Sequence, residues 1–134
     1  MEQFTESCLS WAITYKSNSA PLRTFYCYYR DCRKCSGALY HINIFLKEAD
    51  LDIRGNLKSY IHQSESGNKL TNFCEECGYQ IFSFNDDIPG LVRIHTGTVN
   101  KLEVVGPQGE VSVSKKISSI KIDETLDQFQ KNLT

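Results

Sequence analysis

A mainly β fold follows from three features of the 134-residue chain. Short runs rich in aromatic and β-branched residues recur along it, separated by turn-forming clusters, which is the pattern of strands. Only one stretch, near the C-terminus, carries a helical period. Two cysteine pairs spaced C-x-x-C, at 32/35 and 74/77, offer a staple for strands this short.

Taken in order, "WAITYKS" (11–17) alternates in part, and "LRTFYCYY" (22–29) is rich in aromatics. "LYHINIFL" (39–46) alternates fully, with Leu39, His41, Asn43 and Phe45 on one face and Tyr40, Ile42, Ile44 and Leu46 on the other. "LKSYIHQ" (57–63) and "KLTNFC" (69–74) flank the turn-rich "SESGN" and read as a hairpin. "YQIFSF" (79–84), "LVRIHTGT" (91–98) and "LEVVG" (102–106) follow as further strands, and "EVSVSKKISSIKI" (110–122) as one or two more. "DETLDQFQKNL" (123–133) reads as the helix, with Asp123 as its N-cap and Leu126, Phe129 and Leu133 on one face. No repeat or linker interrupts this order, so residues 1–134 are expected to form one domain around one core.

Hydrophobic residues make up 40% of the chain and charged residues 23%, ordinary for a globular protein. The net charge of -1 argues against nucleic-acid binding driven by bulk charge. "MEQFTESCLSW" lacks a basic segment followed by an apolar run, and no apolar stretch approaches the ~18 residues of a membrane span. A cytoplasmic or nuclear location with reduced thiols is therefore expected, and no membrane partner. In that setting six cysteines read as metal ligands or reactive groups rather than disulfides.

The most specific local signal is "FCEECG". A C-x-x-C-G knuckle turns the chain so that two sulfurs converge, and its glycine accepts a backbone shape that a side chain opposes. Spacing alone then suggests a four-thiolate zinc site of Cys32, Cys35, Cys74 and Cys77, which leaves Cys8 and Cys27 unexplained.

Four stretches together suggest another pairing: "ESCLSWAITY", "CYYRDCRKCSG", "FCEECG" and "HTGTVN". In order, spacing and the flanking "CRK-SG" the chain resembles the glutathione-dependent formaldehyde-activating enzyme family, which also contains centromere protein V, from about residue 6 to about residue 126. The resemblance implies a zinc-stapled β fold of the β-tent, Mss4-like kind. It implies a structural zinc on Cys8, position 10, Cys74 and Cys77, and a catalytic zinc on Cys27, position 29 and Cys32. The chain departs from the pattern at both sites, with Ser10 and Tyr29 where the family carries cysteine. Three thiolates then remain at the first site and two at the second.

Alternate residues of an extended strand point the same way, so Ser10 and Tyr29 should keep the direction of the missing ligands but not their chemistry. A phenol with an unperturbed pKa of about 10 is no match for a thiolate. Three thiolates still hold zinc, with water or an oxygen in fourth place. Cys35 is either a substitute ligand for the lost one or a small buried thiol. A third ligand for Cys27 and Cys32 could come from Cys35, Asp31 or a histidine; otherwise the pair is a free dithiol or a disulfide.

His41, His62 and His95 each fall in an expected strand and read as core or surface residues. Trp11, where the family has glycine, is expected to pack in the core near Ser10. Arg30, Arg33 and Lys34 make either a solvated basic turn or a patch for the carboxylates of glutathione. Three functions follow. The first is a carbon–sulfur lyase joining glutathione and an aldehyde, with Cys27 and Cys32 as ligands of a degenerate catalytic zinc. The second is a non-catalytic single-zinc module with a protein or chromatin partner. The third is a thiol redox protein using Cys32 and Cys35.

Overall fold

The computed structural model describes residues 4–64, 67–100 and 106–131. Its strands form two sheets. The smaller holds β1 (Phe4–Ser7), β2 (Thr14–Ser17) and β5 (Leu51–Arg54) in the order β1-β2-β5, all antiparallel. The larger contains β3 (Arg23–Cys27), β4 (His41–Lys47), β6 (Leu57–Ser64), β7 (Gly67–Cys74), β8 (Gln80–Asn85), β9 (Leu91–His95), β10 (Gly109–Val111) and β11 (Asp127–Gln128). Its order is β11-β10-β3-β4-β9-β8-β7-β6. β10 runs parallel to both β3 and β11, so the sheet is mixed at that edge rather than wholly antiparallel.

The alternation read in 39–46 decides the two faces of the large sheet. Ile44 pairs with Ile94 and Leu46 with Val92, and all four side chains are completely buried. With Phe82 and Ile81 they pack against Ile13 just before β2, Tyr15 of the small sheet and Val99, forming the main core. Each such aliphatic side chain removed from water contributes about 1.5–3 kcal/mol. The opposite face carries Arg23, Phe25 and Cys27 of β3, His41, Asn43 and Phe45 of β4, and Arg93 and His95 of β9, matched by the register Cys27↔His41, Phe25↔Asn43, Phe45↔Arg93 and Asn43↔His95.

The helix is not where the sequence period placed it. α1 spans Arg30–Ser36, and Gly37 ends it in the left-handed conformation (φ 73°), donating its N–H to Arg33 O at 3.0 Å. Seven residues without an apolar period are invisible to a pattern search. The helix forms because Asp31 and Cys32 are buried against the sheet.

Residues 123–126 instead make a turn, in which the Asp123 carboxylate accepts from the Thr125 N–H at 3.0 Å and O–H at 2.6 Å. β11 follows and pairs with β10, while Phe129 meets Phe25 edge-on at 6.1 Å. The buried Glu110 anchors this segment by accepting from the Asp123 N–H at 2.9 Å and Gln128 Nε2 at 2.6 Å. Leu133 lies outside the described residues, as do residues 102–105 of the strand expected at 102–106; Gly106 is not in a strand. Of the strands expected in 110–122 only the first residues form one, β10; a 3-10 turn at 113–115 succeeds it.

Candidate functional site

Two groups of thiols occupy different faces of the molecule. At the first, Cys8 follows β1, and Cys74 ends β7 at the knuckle. The chain reverses there because the Gly78 N–H reaches Cys74 O (2.9 Å) and the Cys74 N–H reaches Tyr79 O (3.0 Å). Gly78 has φ 72°, a conformation that disfavours any side chain.

The loop 8–13 folds back similarly, with Cys8 N–H donating to Ile13 O at 3.1 Å and Trp11 N–H to Cys8 O at 3.2 Å. The Sγ atoms of Cys8, Cys74 and Cys77 lie within 4.8 Å of one another, so the group could hold a metal ion. Ser10 Oγ joins them, 3.5 Å from Cys8 Sγ and 3.6 Å from Cys74 Sγ.

Backbone N–H groups address the sulfurs directly: Ile13 N–H to Cys8 Sγ at 3.4 Å and Cys77 N–H to Cys74 Sγ at 3.5 Å. Burial raises the Cys77 thiol, but hydrogen bonds from the Tyr79 and Ser10 backbones, the Ser10 hydroxyl and Cys74 outweigh it and bring Cys77 down to about 6. Cys8 is likewise lowered, its desolvation outweighed by Ser10, Ile13 and Cys74. Such donors favour the thiolate, the form that binds metal.

Trp11 does not fill the core beside Ser10. It is 64% exposed and has φ 63°, a backbone shape suited to glycine. Its indole therefore projects outward, near the still more exposed Leu9.

At the second group, Cys27 ends β3 and Cys32 sits in α1, both buried, their sulfurs 2.9 Å apart and sharing a hydrogen bond. Asn43 Nδ2 lies 3.9 Å from Cys32 Sγ. The two sulfurs titrate as a unit. Hydrogen bonding with Cys32 and burial hold the Cys27 proton in place. Cys32 is lowered to about 6 by its bond with Cys27 and by the charges of Arg93 and Lys69, which outweigh desolvation.

Among the described residues no third cysteine, histidine or carboxylate closes with this pair, and no such group joins Cys32 or Cys35 to the knuckle. Cys35, partly buried on α1, faces Tyr60 Oη at 3.9 Å and does not replace Ser10. Tyr29 caps the start of α1 and packs against the Phe25–Cys27–Cys32–Val111 cluster, with the Lys69 ammonium 5.7 Å over its ring.

A cavity of about 250 Å³ opens beside Cys27, with apolar walls that include Phe25, Phe45 and Leu91. Three cations also line it: Arg23, Lys69 and Arg93. Among the described residues none of the three pairs with a carboxylate. Arg93 donates to Ser83 Oγ from Nη2 (3.1 Å) and Nε (3.3 Å). Lys69 is only 5% exposed, and burial and Arg93 hold its ammonium below the ordinary lysine range.

Arg30 and Arg33 do not line this cavity. Arg30 is 63% exposed and pairs with Asp31 at 3.3 Å, and the buried Arg33 Nε has no hydrogen bond among the described residues. The cations that do line it lie far apart in sequence, on β3, β7 and β9. Alternation with Cys27 (Arg23) and with His95 (Arg93) was the only signal for them.

The histidines divide as well. His62 Nε2 meets Asp31 Oδ2 at 2.8 Å, joining β6 to α1. His41 and His95 are buried and stack edge-on at 4.5 Å. Burial and Arg93 lower His41 to about 4, and burial, His41 and Arg93 hold His95 well below the ordinary histidine value.

Among the described residues no helix is long and apolar enough to cross a membrane. No curated protein matches the chain. A crystal structure of a Rhodobacter sphaeroides protein shares its fold, with a TM-score of 0.59 at 16% identity over 93% of this chain and 98% of the other. Residues 3–115 match the family described as glutathione-dependent formaldehyde-activating enzyme, which is most of the sequence. With its knuckle, its paired sheets and its two thiol groups in place, this chain belongs to the glutathione-dependent formaldehyde-activating enzyme family.

Proposed function

We propose that the chain carries one zinc ion, on Cys8, Cys74 and Cys77, and binds glutathione in the cavity beside Cys27, where it promotes carbon–sulfur addition to an aldehyde without a second metal. The cavity carries the reading: three cations without carboxylate partners among the described residues, one almost wholly buried, on the wall of a partly apolar space. An unpaired buried cation is unfavourable unless a ligand supplies the counter-charge. The two carboxylates of glutathione are such groups, and two arginines can grip them in bidentate fashion.

The first site fits zinc on its donor spacing. Zinc–sulfur bonds of ~2.3 Å and a zinc–oxygen bond of ~2.0–2.2 Å in a tetrahedron put oxygen about 3.5 Å from sulfur. Ser10 Oγ stands at 3.5 and 3.6 Å from two of the sulfurs. A bound zinc would tie the β1–β2 loop to the β7–β8 knuckle, which is a structural role.

At the cavity, Arg23, Arg93 and Lys69 would hold the carboxylates and favour the glutathione thiolate through their field. That thiolate adds to the aldehyde carbon, and the carbonyl oxygen takes up a proton to give the S-hydroxyalkyl product. The missing third donor at Tyr29 removes the second zinc from this scheme. Calorimetry with reduced glutathione should show binding that Arg93→Ala weakens about tenfold or more, and exchange spectroscopy should show faster adduct formation with the protein present. Two zinc ions per chain, or no heat of binding at millimolar glutathione, would overturn it.

The exposed Leu9 and Trp11 beside the zinc site favour a second reading, a non-catalytic module that docks a protein partner there. In that case Leu9→Ser with Trp11→Ser would abolish partner capture and leave glutathione binding intact.

A further inference from the structure

Cys27 and Cys32 are not part of the Cys8–Cys74–Cys77 cluster, and among the described residues no third donor closes with them. Their sulfurs stand 2.9 Å apart, and a disulfide at ~2.05 Å needs under ~1 Å of closure. Cys27 faces the cavity, while Cys32 lies behind it in α1. Arg93 and Lys69 line both the cavity and the smaller space at Cys32, so both sulfurs sit in a positive field. Cys35 stands 3.9 Å from Tyr60 Oη, and it is the Cys27 and Cys32 sulfurs that are in contact.

We propose that Cys27 and Cys32 form a redox-active pair whose oxidant is a low-molecular-weight disulfide carrying carboxylates. The two sulfurs share a hydrogen bond, and the pair enters the reaction as the singly deprotonated dithiol. Cys27 Sγ attacks one sulfur of the bound disulfide RSSR as its proton passes to Cys32, and RS⁻ leaves. Cys32 Sγ then attacks Cys27 Sγ of the mixed disulfide, and the second RS departs with the Cys32 proton as RSH. In sum, the dithiol with its one proton and RSSR give the protein disulfide, RSH and RS⁻. Two electrons pass from the protein to RSSR. Only the preference for an anionic disulfide rests on the glutathione reading of the cavity; the exchange itself does not.

Zinc-loaded protein is incubated without oxygen with oxidised glutathione, and in parallel with the uncharged bis(2-hydroxyethyl) disulfide. Peptide mapping should place the new disulfide between Cys27 and Cys32, with Cys8, Cys74 and Cys77 unmodified and zinc retained. Oxidised glutathione should react about tenfold faster or more, an advantage that high salt removes. Cys32→Ser should halt at a mixed disulfide on Cys27, and Cys27→Ser should lose the fast phase. Oxidation at equal rates by both disulfides sustains the redox pair and sinks the anion preference, and with it the cavity reading. If neither disulfide links Cys27 to Cys32, or if the link forms to Cys35 instead, the redox pair is refuted, whatever calorimetry says of glutathione.

Discussion

The two cysteine groups of this chain differ in what surrounds their sulfurs. Cys8, Cys74 and Cys77 receive hydrogen bonds from the backbone of two tight turns, with Ser10 Oγ in fourth place. Cys27 and Cys32 have each other, the Tyr29 backbone at Cys27, Asn43 at Cys32, and the charges of Arg93 and Lys69. Backbone donors are present whenever the turn forms, which suits a permanent metal. Side-chain cations are separable from the fold, and at a cavity they are available to a ligand. The same residue type thus stands in two settings, one framed by the backbone of two turns and one beside a cavity lined by cations.

The sharpest way to break this contrast is to remove a ligand. Cys74→Ser should abolish zinc by elemental analysis and destabilise the fold by several kcal/mol, a fraction of the ~10–16 kcal/mol that structural zinc supplies in small peptides. Cys32→Ser should leave zinc content and melting nearly as they are. Equal losses in the two variants would erase the distinction.

Acid should act next, on the cavity face. His41 is neutral in the fold, with its pKa lowered from 6.5 to about 4. The unfolded chain takes up this proton first, so stability falls as pH drops from 6.5 and the loss is complete below about 4. At 1.36 kcal/mol per unit the loss reaches about 3 kcal/mol. Denaturant unfolding of His41→Asn across this range should show a shallower pH slope, while a slope unchanged by the substitution would assign the acid sensitivity to zinc release.

Arg93→Ala should weaken glutathione binding about tenfold, about 1.4 kcal/mol, without changing zinc content. Tyr29→Cys supplies a third thiolate beside Cys27 and Cys32, and elemental analysis should then find up to two zinc ions per chain. If it stays at one, the second site lacks more than a ligand. The smallest effect belongs to Asp31→Asn. Burial raises this carboxyl, but hydrogen bonds from His62 and Arg30 outweigh it and hold it below its usual range. Its partners are partly exposed, so chemical denaturation should register under about 1 kcal/mol.

Sequence reading reached furthest where the physics is local. The knuckle at 73–78 and the alternation in 39–46 depend on neighbours within a few residues, and both stand in the fold. It failed at Trp11, where the left-handed backbone sends the indole outward, and at 123–131, where the pull of Glu110 and Phe25 overrides a helical period. Arg30 and Arg33 drew notice because they adjoin the cysteines in sequence, yet the cavity uses Arg23, Lys69 and Arg93.

The amino-acid sequence alone determined the strand-rich class, the family, and the two departures from the family's cysteine pattern, Ser10 and Tyr29, because turn geometry and side-chain identity are properties of short segments. Tertiary structure alone decided that Ser10 still reaches the thiol cluster, that Cys27 meets Cys32, and that cations from three strands share one cavity. Those depend on strand register and on how α1 is buried, which are set by contacts between residues far apart along the chain.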